Sequence, residues 1–275
     1  MKVVHLNCAT LCPLGGRWIN GGDPLCQRAR LVCHVLLVES ADGLVLVDTG
    51  LGLDDVRGRS PARLRQLRIL AAELREEETA ARQVAALGYS PDEVRHVVLT
   101  HLDLDHAGGL PDFPRAQVHV LAREHEAAML RRTFLERRRY WPEHWVHRPR
   151  WVLHHPDEGE RWFGFACARQ IQGLPPELLL IPLAGHTRGH AGVAVETPQG
   201  WLLHAGDAYF HYGQVNPREP WCTPGLGAFQ RLMAVDDRAR VENLERLRQL
   251  VREHQAEVNV FSAHDPVELE RFQRG

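Results

Sequence analysis

The feature that most limits how this chain can fold is the stretch from Val97 to Gly109, VVLTHLDLDHAGG. It opens on β-branched and aliphatic residues, the composition of a buried strand. It then sets two histidines and two aspartates close together and ends on a glycine pair. A strand that stops in a turn of metal-ligating side chains holds them on a rigid support. His101, Asp103 and Asp105 fall on alternate positions and can point the same way, while His106 follows Asp105 directly and approaches from another side. That arrangement suits two adjacent metal ions better than one.

The rest of the chain reads as one domain, 1–275, long enough to bury a sizeable core. Its 44% hydrophobic and 25% charged residues are ordinary for a soluble globular protein, and a net charge of −2 gives no sign of a nucleic-acid partner. No apolar run approaches the ~20 residues that cross a bilayer. The opening MKVVHLNC turns polar too soon for a secretory signal, so a cytoplasmic location is expected. Six cysteines (Cys8, Cys12, Cys26, Cys33, Cys167, Cys222) spread through such a chain read as reduced thiols rather than disulfides.

Further strands are expected at 2–8, 31–38, 44–47, 117–121, 178–183, 192–196, 201–203 and 258–262, with 31–38 and 44–47 paired as a hairpin. Helical spacing marks 61–87, 122–139 and 236–254. A helical and aromatic insertion is expected at about 123–165. Its core, 131–162, interleaves Phe134, Tyr140, Trp141, Trp145, Trp151 and Trp162 with Arg131, Arg132, Arg137, Arg138, Arg139, Arg148 and Arg150. Such a tract serves as a substrate cap, or it buries its aromatics against the body or a partner subunit, in which case the chain is a homodimer. Asp48, His186, Asp207 and His264 each follow an apolar run, as the 101–106 cluster does. Loops at one edge of a sheet converge in space while distant in sequence, which makes these five segments one candidate site.

The spacing His101-x-Asp103-x-Asp105-His106 resembles the His-x-His-x-Asp-His signature of the metallo-β-lactamase superfamily, with Asp103 in place of the second histidine. Asp48-Thr49-Gly50, Gly185-His186-Thr187-Arg188-Gly189-His190, Gly206-Asp207 and the strand-end His264 resemble the later segments of the same family. The resemblance implies an α/β fold: an αβ/βα four-layer sandwich of two mixed sheets flanked by helices. It implies two divalent cations, one held by His101, Asp103 and His186, the other by Asp105, His106 and His264, with Asp207 bridging. Asp48 and His190 would support these ligands from behind. Tyr209 is a candidate for assisting a substrate carbonyl, as a tyrosine near this point does in lactonases of the family.

The implied activity is that of a metal-dependent hydrolase of the lactonase-like or glyoxalase II-like kind. A metal-bound hydroxide would cleave an ester, lactone or thioester of a small molecule, with Asp105 passing a proton to the leaving group. Imidazole and carboxylate ligands suit zinc, and the extra oxygen of Asp103 admits manganese or iron. The added carboxylate would also bring the cluster to zero net charge and acidify its water less. A dinuclear iron redox protein of the same fold and a phosphodiesterase or nuclease are the alternatives.

Overall fold

Runs such as Leu31–Val38 and Leu44–Val47 are apolar at nearly every position, the pattern of strands covered on both faces. A computed structural model of the chain, describing residues 1–21, 24–41, 43–155, 160–171 and 173–274, shows what covers them. Strands β1 (Lys2–Leu11), β2 (Leu31–Ser40), β3 (Gly43–Val47), β4 (Ala72–Glu73), β5 (Val94–Val98), β6 (Gln117–Leu121) and β7 (Arg150–His154) form one sheet in the order β4-β1-β2-β3-β5-β6-β7. Strands β8 (Glu160–Trp162), β9 (Phe165–Gln170), β10 (Leu178–Pro182), β11 (Ala191–Thr197), β12 (Gly200–His204) and β13 (Val258–Phe261) form a second in the order β13-β12-β11-β10-β9-β8. Both sheets are mixed: β3, β5, β6 and β7 run parallel, as do β12 and β13, while β2 and β3 make the expected hairpin.

Helices α1 (Gly16–Ile19), α2 (Leu53–Val56), α3 (Pro61–Ile69), α4 (Ala80–Ala86), α5 (Leu104–Ala107), α6 (Ala122–Leu130) and α7 (Phe134–Arg139) belong to the first half of the chain. Helices α8 (Pro224–Met233), α9 (Asp237–His254) and α10 (Pro266–Gln273) belong to the second. On one face of the first sheet Val35, Leu37, Leu44 and Leu46 pack with Val84 of α4 and Ala127 and Ala128 of α6. Their neighbours Leu36, Val38, Val45 and Val47 pack against Leu178, Leu180, Val193 and Val195 of the second sheet. The outer face of that sheet, Ile181, Ala194 and Leu203, is covered by Leu244, Leu247 and Leu250 of α9. Each fully buried Val or Leu contributes on the order of 1.5–3 kcal/mol. The layers are helix, sheet, sheet, helix, the sandwich expected from sequence.

Several boundaries differ from expectation, each for a local reason. The helical pattern over 61–87 is interrupted because Ala71 turns into the left-handed region (φ 54°) and Ala72–Glu73 then pairs with the open edge of β1. Likewise Arg131 (φ 41°) closes α6, and Thr133 restarts the chain as α7 by accepting from the Glu136 N–H while Glu136 accepts from the Thr133 N–H. Helices α8 and α10 were not expected, although Thr223-Pro224 and Asp265-Pro266 are helix-start signals. The insertion expected at about 123–165 is no separate layer: it supplies α6 and α7, then the edge strand of each sheet. Tyr140 and Trp162 are buried, and Trp145 and Trp151 pack on the core of the first sheet, leaving Phe134 and Leu135 exposed. Residues 156–159 of that insertion lie outside the described residues, as does the side chain of Cys167; Cys8, Cys12, Cys26, Cys33 and Cys222 are free thiols. Among the described residues no helix is long and apolar enough to cross a membrane.

Candidate metal centre

All five segments singled out in sequence meet at the junction of the two sheets. Asp48 follows β3 and the 101–106 cluster follows β5; parallel pairing brings these two ends to the same edge. His186, Asp207 and His264 follow β10, β12 and β13 of the second sheet. Asp48 adopts a left-handed conformation (φ 60°) that few non-glycine residues enter. That turn aims its carboxylate back at β5. Oδ1 accepts the Thr100 N–H at 2.8 Å, and Oδ2 accepts from the Thr100 hydroxyl and from His106 Nδ1, each at 2.8 Å. The Thr100 oxygen in turn takes His101 Nδ1 at 3.0 Å. Asp48 therefore orients one histidine directly and a second through a threonine.

The outward hydrogen bonds fix which nitrogen each ring presents to the centre. His106 donates through Nδ1 to Asp48, and His264 donates through Nδ1 to the Val32 carbonyl at 2.7 Å. In the neutral rings both Nε2 atoms carry the lone pair, and they lie 3.3 Å apart. Asp207 Oδ1 sits 3.2 Å from His106 Nε2 and 3.0 Å from His264 Nε2. Groups crowded at this range share protons, or a cation in their place. On the other side, Asp207 Oδ2 lies 3.2 Å from His186 Nε2 and 3.8 Å from His101 Nε2, and Asp103 Oδ2 lies 3.1 and 3.4 Å from the same two atoms. Among the described residues, buried His101 Nε2 and Asp207 Oδ1 have no hydrogen-bond partner. These residues could hold divalent cations, with His101, Asp103 and His186 near one oxygen of Asp207 and His106 and His264 near the other, and with Asp105 Oδ2 3.7 Å from His264.

Electrostatics point the same way. Burial works against the Asp207 anion, yet His264, His106, His186 and His101 hold its carboxyl well below the usual range. Burial likewise opposes charge on His106 and His264, but Asp207 foremost raises both well above an ordinary histidine. Here imidazoles and carboxylates share positive charge, as they would around a divalent ion. His190 does not face the centre; its Nδ1 donates to the Leu183 carbonyl at 3.0 Å and its Nε2 accepts the Asp207 N–H at 2.8 Å, which pins the backbone that carries the bridging residue.

Four neighbours of the centre were not singled out from sequence. Arg139, the last residue of α7, puts Nε 3.3 Å from Asp103 Oδ1. Glu124 of α6 is fully buried and accepts from the Leu102 N–H, the Gly189 N–H and the Tyr140 hydroxyl, each at 3.0 Å, so it ties together both loops that flank the first cation seat. A side chain on Gly189 would run into the Glu124 backbone, which is why that position is glycine. The Cys33 sulfur shares a cluster of ligand atoms within 4.8 Å with Asp105 and His264. Burial pushes that thiol up to about 12. Phe210 stacks on His264 (centroids 4.7 Å, planes 20° apart) and meets Phe229 edge-on at 5.8 Å, giving the second seat an apolar wall.

Tyr209 corrects an expectation. It is fully buried, and its hydroxyl donates to Glu268 Oε1 at 2.9 Å, away from the cluster. Consecutive residues in extended chain point to opposite sides, so when Phe210 faces the centre Tyr209 cannot. Burial, then Asp265, pushes the Glu268 carboxyl up to about 8. Tyr209→Phe is expected to leave kcat and KM within about twofold and to lower stability by roughly 1–3 kcal/mol, because a buried acceptor loses its donor. Steady-state kinetics beside thermal melts check this, and a large loss of kcat at unchanged stability would restore Tyr209 to the chemistry.

A sequence model described as "Metallo-beta-lactamase superfamily" matches residues 28–254. Over 269 residues the chain is 42% identical to a Mycobacterium tuberculosis protein named "Probable metallo-hydrolase Rv2300c", covering 97% of this chain and 81% of that one. Its fold is similar to that of an N-acyl homoserine lactone hydrolase with N-hexanoyl-L-homoserine bound at the catalytic metal center (TM-score 0.72, 20% identity, 98% and 95% of the two chains). It is also similar to that of a dizinc quorum-quenching lactonase in complex with a product (TM-score 0.62, 14% identity, 96% and 87%).

Proposed function

We propose that this chain, which belongs to the metallo-β-lactamase superfamily and is a metallo-hydrolase, opens a lactone or cleaves a related ester or thioester of a small molecule at a dinuclear centre. The observation that carries the dinuclear reading is the Asp207 carboxylate, whose two oxygens face two separate sets of donors: His101, Asp103 and His186 on one side, and Asp105, His106 and His264 on the other. Zinc is the ion that four imidazoles favour, and the likeness to a dizinc lactonase supports that choice. When bound, the two ions supply an acidified water as nucleophile and polarise the carbonyl under attack.

The chain's own groups do the rest. Asp48 and the Val32 carbonyl keep His106 and His264 in the tautomer that leaves Nε2 free. His190 holds the backbone of Asp207 still, so its carboxylate need not reorganise during the reaction. Asp105 is the most exposed carboxylate of the set, with 17% of its side chain open to solvent, and is placed to take the nucleophile's proton and pass it to the departing oxygen. Phe210 and Phe229 give an apolar wall against which an acyl group can lie.

The test is elemental analysis of protein purified without added metal, together with initial rates on a panel of N-acyl homoserine lactones, simple esters, thioesters and a phosphodiester. About two zinc ions per chain with preferential lactone opening is the expected result. Iron with a peroxide-dependent spectrum and no hydrolysis would establish a redox protein instead, and cleavage confined to the phosphodiester would overturn the acyl substrate class.

A further inference from the structure

At the first cation seat this chain carries an aspartate, and the aspartate has a companion. Asp103 uses its two oxygens differently. Oδ2 faces His186 and His101 at 3.1 and 3.4 Å, while Oδ1 faces Arg139 Nε at 3.3 Å. The guanidinium is 8% exposed and held from behind: Nη1 donates to the His186 carbonyl at 2.7 Å and Nη2 to the Met233 carbonyl at 2.5 Å. The two carbonyls fix the guanidinium in place and leave its Nε within ion-pair range of Asp103 Oδ1, a buried oxygen with no hydrogen-bond partner among the described residues. A buried guanidinium without an anion would carry a heavy desolvation cost, and so would a buried carboxylate without a cation. Each group is thus the other's condition for being there.

We propose that Asp103 and Arg139 act as one unit equivalent to a single neutral imidazole ligand, with Arg139 restoring the positive charge that Asp103 removes from the dinuclear centre. This rests on the dinuclear reading above. The carboxylate supplies the ligand oxygen and one negative charge; the guanidinium returns that charge beside the cluster without entering it. The cluster with its arginine is therefore no more negative than one with a histidine at position 103, contrary to the zero balance expected from the carboxylates alone. The pair also makes α7 a part of the metal centre, since its last residue joins the 101–106 loop, the His186 loop and the end of α8.

A double-mutant cycle of Asp103→His and Arg139→Met tests the coupling, read as bound zinc per chain and as melting temperature of loaded and chelated protein. Asp103→His alone strands a buried guanidinium beside two cations, so zinc should fall from about two to about one per chain. Arg139→Met alone should lower the melting temperature of the chelated protein most, where Asp103 has neither partner. The double variant should return to about two zinc ions and melt above both single variants. A merely structural arginine predicts the opposite, losses that add. Two zinc ions in Asp103→His with unchanged melting, or a double variant no better than Asp103→His, overturns the inference while leaving the centre intact. Fewer than two in the wild type overturns the dinuclear reading and this inference with it. Should Asp103→His fail to fold, recovery of a folded double variant reads the same coupling, and failure of both overturns it.

Discussion

Asp207→Asn is expected to release both metals and to cut hydrolysis by more than about 100-fold. Substitution of groups that merely orient a metal ligand costs about 10–100-fold in affinity or activity, and Asp207 touches both donor sets itself. Its oxygens lie within 3.0–3.2 Å of three imidazole nitrogens, His264, His106 and His186. An asparagine keeps the shape but offers one neutral oxygen, and its NH2 would donate into an imidazole lone pair that a cation needs. Metal content and initial rates on the same substrate decide the matter. A variant with two ions and near wild-type turnover would show that Asp207 bridges nothing. Asp48→Asn, which disturbs one ligand from behind, should fall within the 10–100-fold band and retain more metal.

Stripping both metals should lower the melting temperature by roughly 15–30 °C. An ion at about 1,000 times its dissociation constant adds about 4 kcal/mol. A chain of this size melts about 2–4 °C lower per kcal/mol lost. The loss should depend on pH. His106 and His264 have folded pKa values raised above 6.5, so in the stripped protein their contribution is complete below that value and is lost as pH rises through the raised values. Asp103 and Asp207 have depressed values, so their contribution is complete above 3.8 and is lost as pH falls through the depressed values. The stripped protein should therefore be most stable in mildly acidic solution and the gap between stripped and loaded protein should widen with alkalinity, where ions replace protons on the imidazoles. Melts with and without chelator between about pH 5 and about pH 9 measure this. A gap that stays constant or narrows would contradict the charge sharing described here.

The strands and their chemical ends were legible because both signals are local: an apolar run, then an Asp or His shortly past it. Only Asp48 stands directly after its run; His101, His186, Asp207 and His264 follow theirs within four residues. Arg139 did not stand out, because within an arginine-rich tract nothing nearby distinguishes it from Arg138, which merely lies over Phe134 at 5.3 Å. Its partner is Asp103, reached only when α7 folds back on β5. Tyr209 and Phe210 show the other limit. They are adjacent and both aromatic, so choosing which one faces the metals needs the register of the chain beyond β12, which side-chain chemistry alone does not supply. Cys33 and Glu124 read as ordinary strand and helix positions until the opposite loops are placed over them.

The two sheets are built from consecutive halves of the chain, one ending at His154 and the other beginning at Glu160. Each half owns an incomplete set of ligands: Asp103, Asp105, His101 and His106 in the first, His186, Asp207 and His264 in the second. The two proposed cations would each have a foot in both halves, and the centre would work as a clasp whose two jaws are made at different times during synthesis. The donors of the N-terminal half emerge first, and the proposed ligand set is complete only when the chain beyond β13 delivers His264. Capture of both proposed ions would in this sense report that the two halves have come together.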